Sequence, residues 1–252
     1  MDYREKVLYL LQKHNQDTDE LKASISELKA TLAETKKEVT TVSRFVEAPQ
    51  FVDLDLPSGT LWMDRNIGAK LISDFGLYFM WGDTTGYSDD DIKVKAAWKN
   101  CPGNNGNEQA DTEALEAWDK RYITNKGNLF TTVDAAFAYT HGAAKMPTIN
   151  QIEELLKYTV TGYSKNYYGS GTGAYLFGSK KDRSKYICIP ASGTVSGGGI
   201  WDRGNYGVIW TSSLNKDSST KGLCLTFNLS GNRTYMSTHY RYEGLCIRGV
   251  SV

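Results

Sequence analysis

The first 46 residues restrict the fold more than any other part of the sequence, because they contain neither glycine nor proline and repeat one apolar pattern. Apolar side chains recur every seven residues, which lays a stripe along a helix and is typical of a coiled coil. The a positions are Leu11, Thr18, Ile25, Leu32, Val39 and Val46, and the d positions are Val7, His14, Leu21, Leu28, Thr35 and Val42. Residues 1–48 are therefore predicted to form an oligomerisation stalk. It should end at Pro49, since proline keeps the preceding residue out of the helical region.

The number of helices in this coiled coil is not fixed by the pattern. Ile25 at a with Leu28 at d favours two strands, whereas the threonines at a and d weaken that preference. Dimers and trimers are both compatible with the sequence. We expect a homo-oligomer formed through residues 4–46.

The rest of the chain, residues 51–252, is predicted to be one α+β head. Residues 51–56 alternate apolar and polar side chains, the pattern of a half-buried strand, and residues 60–63 follow a Pro-Ser-Gly turn as the returning strand. Residues 83–129 are polar with scattered aromatics, which indicates a surface insertion.

Two helices and several strands should follow the insertion. A short helix is expected over 132–140, and a second from Thr148, where Thr148 and Gln151 fit a capping box. The remaining predicted strands are 186–190, 208–211, 223–227 and 245–250.

Charge and hydropathy exclude several classes of partner. Lys+Arg and Asp+Glu both total 29, so the formal charge is zero and no long-range field attracts nucleic acid or an anionic membrane. No apolar stretch is long enough to span a membrane, and the N-terminus has no signal-peptide pattern. We expect a protein that is neither membrane-inserted nor secreted by a signal peptide.

The sequence offers little for catalysis or metal binding. It has three histidines and no metalloprotease, hydrolase-elbow or P-loop motif. The aspartates at 89–91 lack the glycine and glutamate spacing of an EF-hand. Four widely spaced cysteines, Cys101, Cys188, Cys224 and Cys246, are predicted to be buried free thiols. We predict no enzyme activity, no metal site and no cofactor.

Two segments near the C-terminus combine aromatic rings, small polar groups and charge. Residues 196–207 are too glycine-rich for a core, and residues 234–242 have no clean period, so their rings should be exposed if the segment is a loop. Exposed Tyr, Trp and Arg are good binding groups, because each buries a large surface area for every side-chain torsion that binding fixes. The alternative is an irregular strand whose rings pack inward. The predicted ligand contacts are Ile200, Trp201, Asp202, Arg203, Asn205, Tyr206, Val208, Tyr235, Ser237, Thr238, His239, Tyr240, Arg241 and Tyr242.

An ordered series of motifs across the head resembles a known family. The motifs are 52–62 (VDLDLPSGTLW), 66–69 (NIGA), 78–84 (YFMWGDT), 146–148 (MPT), 189–193 (IPASG), 210–213 (WTSS) and 244–250 (GLCIRGV). They resemble C-type-lectin-fold domains of gut bacteria and their phages. Within that group the pattern is most similar to the variable proteins of diversity-generating retroelements, which are related in fold to formylglycine-generating enzymes.

The resemblance implies a C-type-lectin-like fold of small twisted antiparallel sheets with two helices, in which the first and last strands pair. It also implies a ligand-binding face in the last part of the fold, where adenine-directed mutagenesis rewrites Asn-type codons. Trp201 and Met236 do not fit such an origin. The sugar-site strings of calcium-dependent lectins and the cysteine pair of a formylglycine-generating catalyst are both missing.

The expected function is that of an oligomeric receptor-binding protein of a phage tail, with a trimer favoured. It would reside in the virion, or in the host cytoplasm before assembly, and bind a cell-surface protein or glycan. The alternatives are a structural protein of a phage particle and an enzyme of the formylglycine-generating type.

Overall fold

The computed structural model describes residues 22–31, 50–91 and 96–252. The chain divides into two compact units, Met1–Ala48 and Pro49–Val252. Within the described residues, no helix is both long and apolar enough to cross a membrane.

The described part of the first unit is one helical segment, α1, over residues 22–31. Ile25 and Leu28, the predicted a and d residues, are 45% and 69% exposed in the single chain. The other a and d positions of the predicted stalk, and Pro49, lie outside the described residues.

The second unit is an α+β head built from small antiparallel sheets, as predicted. The strands are β1 (Phe51–Asp53), β2 (Leu61–Met63), β3 (Ala144–Lys145), β4 (Thr159–Ser164), β5 (Ala174–Ser179), β6 (Tyr186–Pro190), β7 (Thr194–Ser196), β8 (Gly199–Trp201), β9 (Tyr206–Leu214), β10 (Lys221–Asn228), β11 (Arg233–Tyr240) and β12 (Val250–Ser251). The helices are α2 (Thr112–Tyr122), α3 (Ala135–Tyr139) and α4 (Ile149–Tyr158). The sheets have the strand orders β1-β2-β12-β3, β11-β10-β9, β4-β5-β6 and β7-β8.

The chain ends of the head meet in one sheet, although the first and last strands are not neighbours. Trp62 of β2 pairs with Val52 of β1 on one side and with Val250 of β12 on the other. The expected direct pairing of first and last strands is therefore corrected, because the return strand of the opening hairpin lies between them. Most of 245–250 is also not a regular strand: Leu245 and Cys246 make single bridges to Phe79 and Ile209.

The two predicted helices are present, and their caps explain their limits. Thr148 and Gln151 form the predicted capping box of α4. Helix α3 is shorter than the predicted 132–140, because the carboxylate of Asp134 accepts the N–H of Phe137 and so fixes Ala135 as the first helical residue.

The predicted surface insertion is more folded than its composition indicated. It contains α2, whose N-cap Asp111 accepts the N–H of Ala114. Trp118 of α2 packs against Trp81 with ring centroids 6.1 Å apart, and Asn104 is fully buried. A few buried residues therefore anchor this segment, while most of its described side chains are exposed or half-buried.

The sheet of β9, β10 and β11 separates two apolar clusters. Ile209, Leu225 and Phe227 face a cluster that includes Leu155 of α4. Val208, Trp210 and Cys224 face the other cluster, which includes Trp81. Because β10 lies between β9 and β11 and is buried on both faces, it holds β11 on a rigid base.

Candidate functional site

The first predicted contact segment lies on β8 and in the turn that leads to β9. Trp201 is 60% exposed, and its Nε1 donates a hydrogen bond of 3.0 Å to the carbonyl oxygen of Ser196, which fixes the ring. Asp202 is exposed in the turn with a φ of 58°. Ile200 is half-buried and packs against the core.

Arg203 is held by partners within the head. Both terminal nitrogens lie 2.6 Å from the Asp89 carboxylate, and Nη2 also donates to the Tyr78 hydroxyl at 2.8 Å. The guanidinium lies 4.5 Å from the centre of the Phe75 ring. A ligand that used Arg203 would have to compete with this ion pair.

The other residues of the first segment differ in exposure. The Asn205 side-chain oxygen accepts the Oγ hydroxyl of Ser230 at 2.6 Å, so it anchors the turn between β10 and β11. Tyr206 is half-buried at the start of β9. Val208 is buried in the core, and its prediction as a ligand contact is corrected, because β9 turns its side chain inward.

The second predicted contact segment is mostly an edge strand, and not a loop. Residues 233–240 form β11, which pairs with β10 over eight positions and lies at the edge of its sheet. Tyr235 and Tyr240 are exposed, whereas Ser237, Thr238 and His239 are half-buried. Apolar and polar residues do not alternate regularly in this segment, because both faces of an edge strand are partly solvated.

Arg241 follows β11 directly and is fully buried, so its prediction as a ligand contact is corrected. Its Nη2 donates to the Asp119 carboxylate of α2. The guanidinium lies 4.6 Å from the centre of the Trp81 ring and 5.4 Å from that of Trp118. Arg241 therefore joins β11 to the insertion and serves the fold.

Three aromatic side chains meet at the end of β11. Trp98 of the insertion lies 5.9 Å from the Tyr240 ring and 4.8 Å from the Tyr242 ring, and the two tyrosines are stacked at 5.6 Å. The Lys221 ammonium lies 4.9 Å from the centre of the Tyr240 ring. We call Trp98, Tyr240 and Tyr242 the three-ring cluster.

Sequence reasoning missed Trp98. The residue lies in a polar insertion, about 140 positions before the tyrosines that it contacts, so no local pattern connects them. The one available sign of a functional role was a tryptophan in a segment that otherwise lacks the apolar pattern of a core.

The structure brings the two predicted segments together through β7. Val195 exchanges main-chain hydrogen bonds of 2.8 and 2.9 Å with Gly244, two residues after Tyr242. The main-chain carbonyl oxygen of Ser196, on the same strand, accepts the Trp201 indole N–H. Trp201 and the three-ring cluster therefore flank one short strand.

His239 also has a partner in this region. Its Nδ1 lies 2.8 Å from Oε2 of Glu243, and the same carboxylate oxygen accepts the main-chain N–H of Tyr240 at 3.0 Å. Glu243 thus closes the C-terminal end of β11.

The cysteines are buried free thiols, as predicted. Burial raises the pKa of the Cys188 thiol to about 11 and that of the other three thiols to about 12. Because the thiolate is the nucleophile, these groups are poorly suited to covalent chemistry at neutral pH.

We expect the thiols of the native protein to react with iodoacetamide at least about a hundredfold more slowly at neutral pH than those of the denatured chain. Mass spectrometry of the alkylated protein, with and without denaturant, would measure this difference. A thiol that reacted in the native protein as fast as in the unfolded chain would contradict the expectation and favour a catalytic cysteine.

Comparison with models of known protein families, with curated proteins and with solved structures found no match.

Proposed function

We propose that this protein is an oligomeric receptor-binding protein with a C-type-lectin-like head, of the kind found among variable proteins of diversity-generating retroelements. Its binding face comprises Trp201, the exposed side chains of β11 and the three-ring cluster. In this proposal the protein is part of a phage tail and binds a protein or glycan on the host surface.

The observation that carries the proposal is the exposure of large rings on well-paired strands. Trp201, Tyr235 and Tyr240 are exposed although they belong to β8 and β11, whose main chains are fixed by neighbouring strands. A ring that is already fixed loses little entropy when a ligand covers it, so such rings become binding hot spots.

The proposed diversification is compatible with the observed exposure. Asp202, Tyr235 and Tyr240 are exposed and of residue types that adenine changes in an Asn-type codon produce. Tyr235 is the clearest such position, because its side chain is exposed and its main chain is held by β10. A nearby imperfect DNA copy of the segment for residues 195–247, differing only at its adenines, would support this part of the proposal.

The exposed apolar residues of α1 support an oligomeric stalk. Ile25 and Leu28 are three residues apart and thus lie on one side of the helix, where further copies of the helix would cover them. We propose a parallel coiled coil, with a trimer favoured, that presents several heads to one surface.

We expect Trp201→Ala and Tyr240→Ala each to weaken adhesion by about thirtyfold, the effect of removing one interface hot spot. The stability of the head should change little, because both rings are exposed. Adhesion of purified particles to cells that bind the unaltered protein would measure the loss.

Tyr163→Ala is the matched control, since Tyr163 is 43% exposed and Tyr240 is 41% exposed, yet Tyr163 lies on β4, outside the binding face. It should leave adhesion unchanged. Particles that fail to assemble with Tyr240→Ala would favour the alternative, a structural protein of the particle. Equal adhesion of all variants would contradict the proposed face.

A further inference from the structure

The outer edge of β11 presents unpaired main-chain groups. Arg241 N–H donates to the Thr220 carbonyl oxygen at 3.0 Å, and residues 221–228 pair with 240–233 in the same register. Hydrogen-bonded pairs alternate in an antiparallel ladder. The odd-numbered residues of β11 therefore direct their N–H and C=O groups to β10, and the even-numbered residues direct theirs away from it.

The opposite side of β10 gives the same assignment independently. Leu229 N–H donates to the Asn205 carbonyl oxygen at 2.9 Å, so the odd-numbered residues of β10 face β9 and its even-numbered residues face β11. Even-numbered Cys224 and Thr226 pair with odd-numbered Ser237 and Tyr235.

The outward groups of three residues have no hydrogen-bond partner within the described part of the chain. These residues are Thr234, Met236 and Thr238. The outward main-chain groups of the next even-numbered residue, Tyr240, both bond to Glu243. The Glu243 carboxylate accepts the N–H of Tyr240, and the Glu243 N–H donates to the Tyr240 carbonyl oxygen at 2.9 Å. The free edge thus has a defined end and offers one ladder of alternating donors and acceptors.

The edge also lacks the features by which proteins usually block such ladders. Residues 234–238 contain no proline, no lysine and no other charged residue, and the register with β10 has no bulge. A regular and uncharged edge strand is a template for another strand.

We propose that β11 binds an extended polypeptide segment of the target, which adds a strand along Thr234, Met236 and Thr238. This inference rests on the proposed binding function and assigns the target class as protein. A strand partner is favoured over a glycan, because the free groups alternate with the spacing of a polypeptide main chain.

The surroundings of the edge favour a foreign strand over a second copy of β11. One end of the edge carries the three-ring cluster, and the other end carries the turn at 229–232. A self-paired edge would place each three-ring cluster against the partner's turn, whereas a foreign strand can place apolar side chains on the rings.

The test uses the full chain with two probes, a displayed library of random linear peptides and an array of glycans. We expect linear peptides to be selected. N-methylation of every second residue of a selected peptide should weaken binding about tenfold or more per lost hydrogen bond, and methylation of the intervening residues should have little effect.

Two variants test the same ladder from the side of the protein. Met236→Pro removes the outward N–H at a position where an edge strand tolerates proline, whereas Met236→Ala removes the side chain and keeps the N–H. We expect a loss of about tenfold or more for proline and a smaller loss for alanine. The methylation pattern remains decisive if Met236→Pro does not fold.

Each outcome separates this inference from the proposed function. Glycan binding alone, or peptide binding without the alternating pattern, would overturn the strand inference and leave the binding function intact. Selected peptides that copy 232–240, together with head dimers lost in Met236→Pro, would assign the edge to a second copy. Binding to neither probe would contradict both proposals.

Discussion

Replacing Arg241 by methionine should lower the free energy of unfolding of the head by about 3–5 kcal/mol, the usual cost of removing one partner of a buried ion pair. The substitution leaves the Asp119 carboxylate, which is largely shielded from water, without its counter-charge. Burial already raises the pKa of Asp119, and the positive charge of Arg241 opposes that rise. Urea denaturation followed by tryptophan fluorescence would measure the change, since Trp81 and Trp118 contact the guanidinium.

Arg203→Met is the matched control, because Arg203 also pairs with an aspartate and contacts aromatic rings but is partly exposed. Its loss should cost about 1 kcal/mol or less. Combining Arg241→Met with Asp119→Leu removes both charges and should recover much of the lost stability. A single Arg241→Met variant as stable as the unaltered protein would contradict the buried-pair explanation.

Substituting both Ile25 and Leu28 by aspartate should convert the protein to a monomer and reduce adhesion to a target-bearing surface by about 10²–10⁴-fold. The charges would lie on the apolar stripe of α1, where the proposed coiled coil buries its side chains. The affinity of one head for a soluble target should not change, because the proposed binding face lies in the other unit. Sedimentation and surface binding at low and high target density would measure both effects.

The same charges can be placed on the opposite side of the helix as a control. Ala23 and Ala30 occupy the f positions of the heptad, so Ala23→Asp with Ala30→Asp should leave the oligomer intact. If the unaltered protein sediments as a monomer, the proposed stalk is wrong, whatever the heads bind.

The parts of the head that the sequence predicted are those set by local chemistry. The opening hairpin follows from alternation and a Pro-Ser-Gly turn, and the start of α4 follows from the reciprocal bonds of Thr148 and Gln151. The strands β9 and β10 are apolar runs because both of their faces are buried. The burial of Cys188 and Cys224 follows from their positions on the buried strands β6 and β10.

The parts that the sequence did not predict depend on contacts between distant residues. Arg241 resembled an exposed binding group, because its partner Asp119 lies 122 positions away in a segment of polar composition. The partners of Trp98 could not be predicted for the same reason. The edge position of β11 depends on which strands are neighbours, and a local pattern contains no information about sheet order.

The register between β10 and β11 is held by main-chain hydrogen bonds along eight residue pairs, and these bonds are the same for almost any amino acid. The shape of β11 therefore depends little on the identity of its exposed rings, Tyr235 and Tyr240. Under the proposed function, the side chains of this surface could change repeatedly while the main-chain pairing stayed the same, and recognition would evolve much faster than the fold.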